Sequence, residues 1–398
     1  MSWSQRIDRV KPSPTLAASA RASALTAQGI SVINFGVGEP DFDTPPHIKT
    51  ACIEALHNGA TKYGPVPGLP ALRTAICEKL QRTNGVTYVP HDILVTCGAK
   101  EALFAALQVL INPGDEVLIP APYWVSYADQ TLLCDGLPTI IATDEAANFK
   151  LTPPALRRAC TAKSRVLMLN TPSNPSGIVY THDELEALAI VCAEKNLWVI
   201  SDEIYEALVY PPATFCSFAT AAPQCRDRTI LVNGVSKSYA MTGWRIGWAA
   251  GPEAVITQMG TWQGQVVTHA CAFAQHGAIA AYTGPQDALE TMRAAFQERR
   301  NVMAAALRNI PGITCVEPRG AFYAYPNVTA LLGRSVNGRT IATSEALTEY
   351  LLEDAHISVV AGEGFGTPGY LRFSYALGMA DLKEGLARFA AAVSRLRV

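Results

Sequence analysis

The sequence predicts an α/β protein: a large domain on a mainly parallel mixed sheet, joined to a smaller α+β domain. Three observations carry that prediction. Short continuous apolar runs alternate with helical patterns, as strands covered on both faces of a parallel sheet require. Most of these runs end in polar residues. From Gly284 the pattern changes to one long helical stretch, followed by separate strands and helices.

The elements follow in order. The first segment holds one helical stretch near Ser19 to Gln28 and a strand, SVINF, and reads as an arm or part of the smaller domain. DILVTCGAK followed by EALFAALQVL reads as strand, tight turn and helix. NPGDEVLIPAP is a turn and a strand, and SRVLMLN, NLWVISDE and TILVNGVSK are further strands. PPALRRACTAK and HDELEALAIVCAEKN are helical patterns between them. The alternation argues for right-handed crossovers, with chemistry gathered beyond the carboxyl ends of the strands. After the helical MRAAFQERRNVMAAALRNI, the segments GITCVEP, GAFYAYP and YLRFSYA read as strands. The expected division is residues 1–45 (arm and part of the small domain), 46–285 (large, ligand-binding domain) and 286–398 (small C-terminal domain).

A chain of 398 residues has room for two to three domains and a sizeable core without staples. Hydrophobic residues at 49% and charged residues at 17% exclude a disordered or collagen-like chain. The net charge is −2 and no basic block is present, so neither nucleic acid nor an anionic membrane is an expected partner. No apolar run reaches the length of a membrane span, and MSWSQRIDRVKPSP is charged where a signal peptide is apolar. A cytoplasmic location is expected. Ten scattered cysteines without a C-x-x-C pair read as reduced.

Two motifs do not lead to a site. Gly364-Phe365-Gly366-Thr367-Pro368-Gly369 satisfies G-x-G-x-x-G, but a strand follows it where a dinucleotide site needs a helix. His269 and His276 would share a helix face but have no third ligand, so no metal is expected.

A third set of residues converges. Lys237 lies just past the apolar run TILVNGV, and Arg245 follows within MTGWRIGWAAGP. Asp202 and Tyr205 stand at the end of LWVISDEIY, and Asn174 lies in the turn-rich LNTPSNPSG. Gly98-Ala99-Lys100 joins a strand to a helix, where free amides bind phosphate. An anion cradle, an amide, a carboxylate, a phenol, a lysine and an arginine together match one ligand, pyridoxal 5′-phosphate. A lysine binds its aldehyde, a carboxylate keeps its pyridine nitrogen protonated, and an arginine grips its phosphate.

At these residues the chain resembles the class I, fold type I aminotransferases, and most of all their bacterial aspartate/prephenate aminotransferase subgroup. VKPSPT, GVGEPDFDTP, TKYGPVPGLPALR, TCGAKEALF, NPGDEVLIPAPYWVSY, TPSNPSG, SDEIYE, NGVSKSYAMTGWRIG, GAFYAYP and LRFSYA carry the resemblance over nearly the whole length. It implies the fold type I architecture and transfer of an amino group between an L-amino acid and a 2-oxo acid in two half-reactions. It implies Lys237 as the Schiff-base lysine and proton shuttle, Asp202 at the pyridine nitrogen, Tyr205 and Asn174 at the ring oxygen, and Trp124 on the ring face. Gly98, Ala99, Lys100, Ser236 and Arg245 would form the phosphate cup. Tyr63 resembles a tyrosine that reaches the phosphate of the neighbouring subunit, which implies a homodimer with shared sites. Arg372 resembles the arginine that clamps the substrate α-carboxylate, with Gly38 contacting the same group.

The resemblance points to aspartate or glutamate, with prephenate or arogenate as further substrates. Lys11, assisted by Ser13 and Thr15, would meet a distal carboxylate. One stretch departs from the subgroup: QGQVVTHACAFAQ puts Val266, Val267 and His269 where small polar residues are usual. That leaves an aromatic or aliphatic amino donor open, and a lyase or oxidase on the same scaffold is a further alternative.

Overall fold

The computed structural model describes residues 4–397. At its centre seven strands form one sheet: β1 (Ile93–Thr96), β2 (Glu116–Ala121), β3 (Leu137–Ala142), β4 (Ser164–Asn170), β5 (Trp198–Asp202), β6 (Thr229–Gly234) and β7 (Gly247–Ala250). Their spatial order is β1-β7-β6-β5-β4-β2-β3. Neighbours are parallel, except that β7 runs antiparallel to both β1 and β6. The expected mixed, mainly parallel sheet is therefore present.

The apolar runs are continuous because both faces of the sheet are covered. Side chains alternate along each strand and enter two different cores. Val117, Ile119, Val166, Met168 and Ile200 pack against helices Ala99–Leu110 and Glu253–Val266. Leu118, Leu167, Leu169 and Val199 pack on the other face against helix His182–Glu194. That helix opens on a reciprocal cap: the Glu184 N–H donates to Thr181 Oγ1, and the Thr181 N–H donates to the Glu184 carboxylate. Strand β3 contains Pro138 and is largely exposed, which an edge strand tolerates. Its run was not assigned from sequence.

The C-terminal region is built differently. Helices Asp287–Arg308, Ser344–Ala355 and Met379–Ser394 accompany a three-stranded antiparallel sheet with Leu371–Ser374 between Val360–Ala361 and Tyr323–Ala324. Strand Ile33–Asn34 pairs in parallel with Ile357–Ser358, so the N-terminal segment packs with this layer. Phe35, Phe296, Phe322, Phe373 and Phe389 sit together in its core.

Three sequence expectations change. The first helix spans Pro14–Ala27, starting earlier than Ser19, because Pro14 serves in its first turn. GITCVEP forms no regular strand, only an isolated bridge from Thr314 to Asn327. Beyond that bridge the Arg319 N–H turns away to the Gly177 carbonyl. His269 and His276 do not share a helix, since the helix begins at Ala272. No helix among the described residues is long and apolar enough to cross a membrane, and all ten cysteines are unpaired.

Candidate active site

A cleft of about 630 Å³ opens at the carboxyl ends of the parallel strands. Five strand ends deliver its floor. β5 ends at Asp202, β4 at Asn170, and β6 leads into Ser236 and Lys237. The turn after β1 supplies Ala99 and Lys100, and the chain after β2 supplies Trp124 and Tyr127. The C-terminal layer and the N-terminal segment close the other side with Arg372, Tyr323, Gly36, Gly38, Ser13 and Thr15.

The turn expected to hold phosphate is built by close backbone approach. Gly98 has φ +86°, and a Cβ there would lie 2.4 Å from Nη2 of Arg245. Gly247, opposite, would place a Cβ 2.2 Å from the Ala99 nitrogen. Side chains at either position would push the helix N-terminus and the guanidinium apart. Arg245 follows a short 3₁₀ turn in the left-handed conformation and donates to the carbonyls of Thr242 at 2.8 Å and Cys97 at 3.3 Å.

Asp202 is buried and faces the cleft. Tyr127 Oη donates to its carboxylate at 2.6 Å, and the Ile204 N–H donates at 3.2 Å. Burial raises the Asp202 carboxyl to about 6, and these two donors hold it from rising further. Tyr205 shares a 2.9 Å hydrogen bond with Tyr323.

Lys237 donates from Nζ to the Gly38 carbonyl. Burial pushes its ammonium down to about 8; Glu39 opposes the shift, while Arg372 and Arg245 add to it. Arg372 is 2% exposed. It donates to Gly36 O at 2.7 Å and Asn174 Oδ1 at 3.1 Å, and lies over the Tyr323 ring at 4.6 Å. Its Nε is buried without a hydrogen-bond partner. Lys100 holds its ammonium 4.9 Å from the Trp124 ring centroid, and burial lowers its pKa, with Arg245 adding to the shift. Among the described residues, Lys100, Lys237, Arg245 and Arg372 form no ion pair, so four cations face this cleft with Asp202 and Glu39 as its acidic groups.

The structure thus gathers Gly38, Ala99, Lys100, Trp124, Asn174, Asp202, Tyr205, Ser236, Lys237, Arg245 and Arg372 around one space, with Gly98 beside it. Two residues lie elsewhere. Lys11 is exposed and does not line the cleft; it lies near Asp129, whose carboxyl pKa is raised by burial, with Lys100 and Lys11 opposing the rise. Tyr63 projects into solvent away from this cleft. Val266, Val267 and His269 also lie outside it. Sequence reasoning missed Tyr127, Tyr323 and Glu39. Tyr127 and Tyr323 sit in the quoted segments PYWVSY and GAFYAYP, but no spacing ties them to Asp202 or Tyr205.

The family model for aminotransferase class I and II matches residues 30–389. The chain is 46% identical over 390 residues to an aspartate/prephenate aminotransferase of Cereibacter sphaeroides, covering 98% of each. Its structure is similar to that of the aspartate aminotransferase from Rhizobium meliloti, with a TM-score of 0.96, 43% identity and full coverage of both chains. It is also similar to the Thermus thermophilus aspartate aminotransferase solved with maleate, with a TM-score of 0.93, 38% identity and coverage of 98% and 100%. With its strand-end cleft, a family model spanning nearly its whole length and relatives this similar, the chain belongs to the class I and II aminotransferases and is an aminotransferase enzyme.

Proposed function

We propose that this aminotransferase uses pyridoxal 5′-phosphate and takes its amino group from aspartate or glutamate, with prephenate among the candidate acceptors. The observation that carries this reading is the cleft with four unpaired cations. A phosphate and two carboxylates on one substrate are the anions such a cleft is suited to hold.

The residues fit the cofactor. The Gly98 turn is a cradle that a Cβ would fill, and the buried Asp202 carboxylate faces the same space. Gly98, Ala99, Lys100, Ser236 and Arg245 would hold the phosphate, Asp202 the pyridine nitrogen, Tyr205 and Asn174 the ring oxygen, and Trp124 the ring face. Lys237 would carry the cofactor. When bound, the cofactor supplies an electron sink for charge released at the substrate α-carbon. Arg372 grips the α-carboxylate with its planar fork and orients the α-proton toward Lys237. Lys237 accepts and returns that proton at Nζ, which its lowered pKa permits near neutral pH. With its backbone amide serving the phosphate, Lys100 would offer its ammonium, held over Trp124, to the distal carboxylate. The maleate named with the Thermus structure is a dicarboxylate, in keeping with this reading.

The wider organisation follows the same reading. Residues 46–285 would form the cofactor platform, with 1–45 and 286–398 closing over substrate. Tyr63 would serve the site of a second copy in a homodimer. Ten unpaired cysteines suit a reducing cytoplasm.

The test is a single half-reaction. Cofactor-loaded enzyme is mixed with one amino acid and no oxo acid, and the oxo acid formed per site is counted. One equivalent from aspartate and glutamate is expected. Product from aromatic or aliphatic donors alone would overturn the acidic preference. Oxo acid beyond one equivalent per site, with ammonia released in step, would favour the lyase or oxidase chemistry.

A further inference from the structure

The turn at Tyr63–Leu69 is fastened to segment 263–275 by three side chains. Gln263 is fully buried and donates from Nε2 to the Val66 carbonyl at 2.9 Å. Gln275, also buried, accepts from the Leu69 N–H at 2.8 Å. The third is His269, in the stretch that departs from the subgroup. The Gly64 N–H donates to its Nε2 at 3.0 Å, and its Nδ1 lies 2.7 Å from the Ala270 carbonyl. A nitrogen that accepts carries no proton, and one that meets a carbonyl must donate. These contacts assign His269 as the neutral tautomer with its proton on Nδ1.

Tyr63 precedes Gly64 and meets the imidazole edge-on, with centroids 5.9 Å apart and planes at 88°. Yet Tyr63 is 90% exposed. The imidazole therefore holds the backbone beside this ring and also borders the ring itself, while the phenol reaches away from its own chain. Val266 and Val267, just before His269, are apolar and also exposed. That combination suits a ring presented to a second copy of the chain.

We infer that His269 is a positioning residue that sets Tyr63 for the cofactor phosphate bound in a second copy's cleft. This rests on the homodimer and on the Tyr63 role proposed above. His269 touches neither cofactor nor substrate; it acts through the Gly64 backbone and the Tyr63 ring. Leucine at 269 would remove the acceptor, whereas the amide oxygen of glutamine can replace it.

Equilibrium dialysis of pyridoxal 5′-phosphate against purified full-length variants tests this directly. H269L is expected to raise the cofactor dissociation constant about five- to tenfold, the loss of one positioning hydrogen bond. H269Q should recover to within about twofold of the parent, on the same scale. If His269 acts through Tyr63, the double variant Y63F/H269L should bind no more weakly than the weaker single variant. Full additivity, or an unchanged constant in H269L, would overturn the role of His269. If H269L does not fold, the recovery in H269Q is compared with H269A. A hybrid of K237A and H269L subunits separates this from the dimer reading. Its one site with Lys237 receives an intact Tyr63 turn from the K237A subunit, so its activity should half-saturate at the parental cofactor concentration. Half-saturation like that of H269L would overturn action across subunits. A monomer in sedimentation would overturn the dimer itself.

Discussion

Lys79 and Lys237 are both withdrawn from solvent, and their surroundings differ in one decisive respect. Lys79 ends helix Pro70–Lys79 and is buried against the Glu206 carboxylate, with Asn84 Oδ1 accepting at 2.9 Å. Asn84 also donates to the other oxygen of Glu206 at 2.9 Å, which closes the triangle. Among the described residues Lys237 has the Gly38 carbonyl as its one hydrogen-bond acceptor, and two arginines act against its charge while Glu39 and Asp202 favour it without forming an ion pair. A buried cation with a full set of partners fastens the fold. One left short of partners loses its proton easily, and that makes it a base. Lys79 thus fastens a turn next to the cleft that Lys237 lines, since Glu206 follows the Asp202–Tyr205 segment.

The largest expected effect falls on the second lysine. K237A removes the amine proposed to carry the cofactor and move the α-proton. Turnover of aspartate should fall at least about 10⁴-fold. Cooperative unfolding in urea should persist. Near-normal turnover would mean that the comparison has picked the wrong lysine.

K79M should act in the opposite manner. It leaves Glu206 buried without its cation, at a cost of about 3–5 kcal/mol in unfolding free energy. The double variant K79M/E206M should recover most of that loss, because no unpaired charge remains. Turnover per folded site should change far less than in K237A. A K79M protein as stable as the parent would show that the pair does not fasten this turn.

The contrast also predicts a pH effect. In cofactor-free protein Lys237 titrates near 8 instead of 10.5. Its labelling by an amine reagent, followed by peptide mass spectrometry, should therefore rise through pH 8. A midpoint near 10.5 would contradict the burial argument. Between those two values the unfolded chain holds a proton that the folded chain has released. Stability from this group thus increases with pH across that window, and it is lost as pH falls through about 8.

Five of the seven central strands were legible because they are buried on both faces and carry unbroken apolar runs, whereas the four-residue β7, Gly247–Ala250, was not read as a strand. Strand β3 was not, because an exposed edge strand with Pro138 gives no such run. Asp202 and Lys237 were legible because they follow strands directly, where the carboxyl ends of a parallel sheet meet. The Lys79–Glu206 pair was not, since 127 residues separate partners that only the fold brings together. The Val266–His269 stretch was noticed for its departure from the subgroup. Its contact with Gly64, 205 residues away, is likewise invisible to local pattern. Local chemistry at strand ends can be read from sequence, whereas a partner's identity depends on tertiary contact.

Tyr127 is the sharpest case of such an unseen partner, and it gives the smallest expected effect. Its hydroxyl donates to Asp202 at 2.6 Å, and both groups are buried. A donor to the charged form favours that form. In Y127F only the Ile204 N–H remains of these two donors, so the Asp202 carboxyl must rise above its value of about 6. At neutral pH fewer molecules then present a carboxylate to the pyridine nitrogen. The cofactor dissociation constant should increase roughly tenfold at pH 7, the scale of one hydrogen bond to a charged group. The difference should shrink at higher pH as Asp202 ionises again. Weakening by the same factor at every pH would mean that Tyr127 only packs against Asp202. In that event the proton balance of the cleft would rest on Lys237 and its two arginines, without help from the tyrosine beneath Asp202.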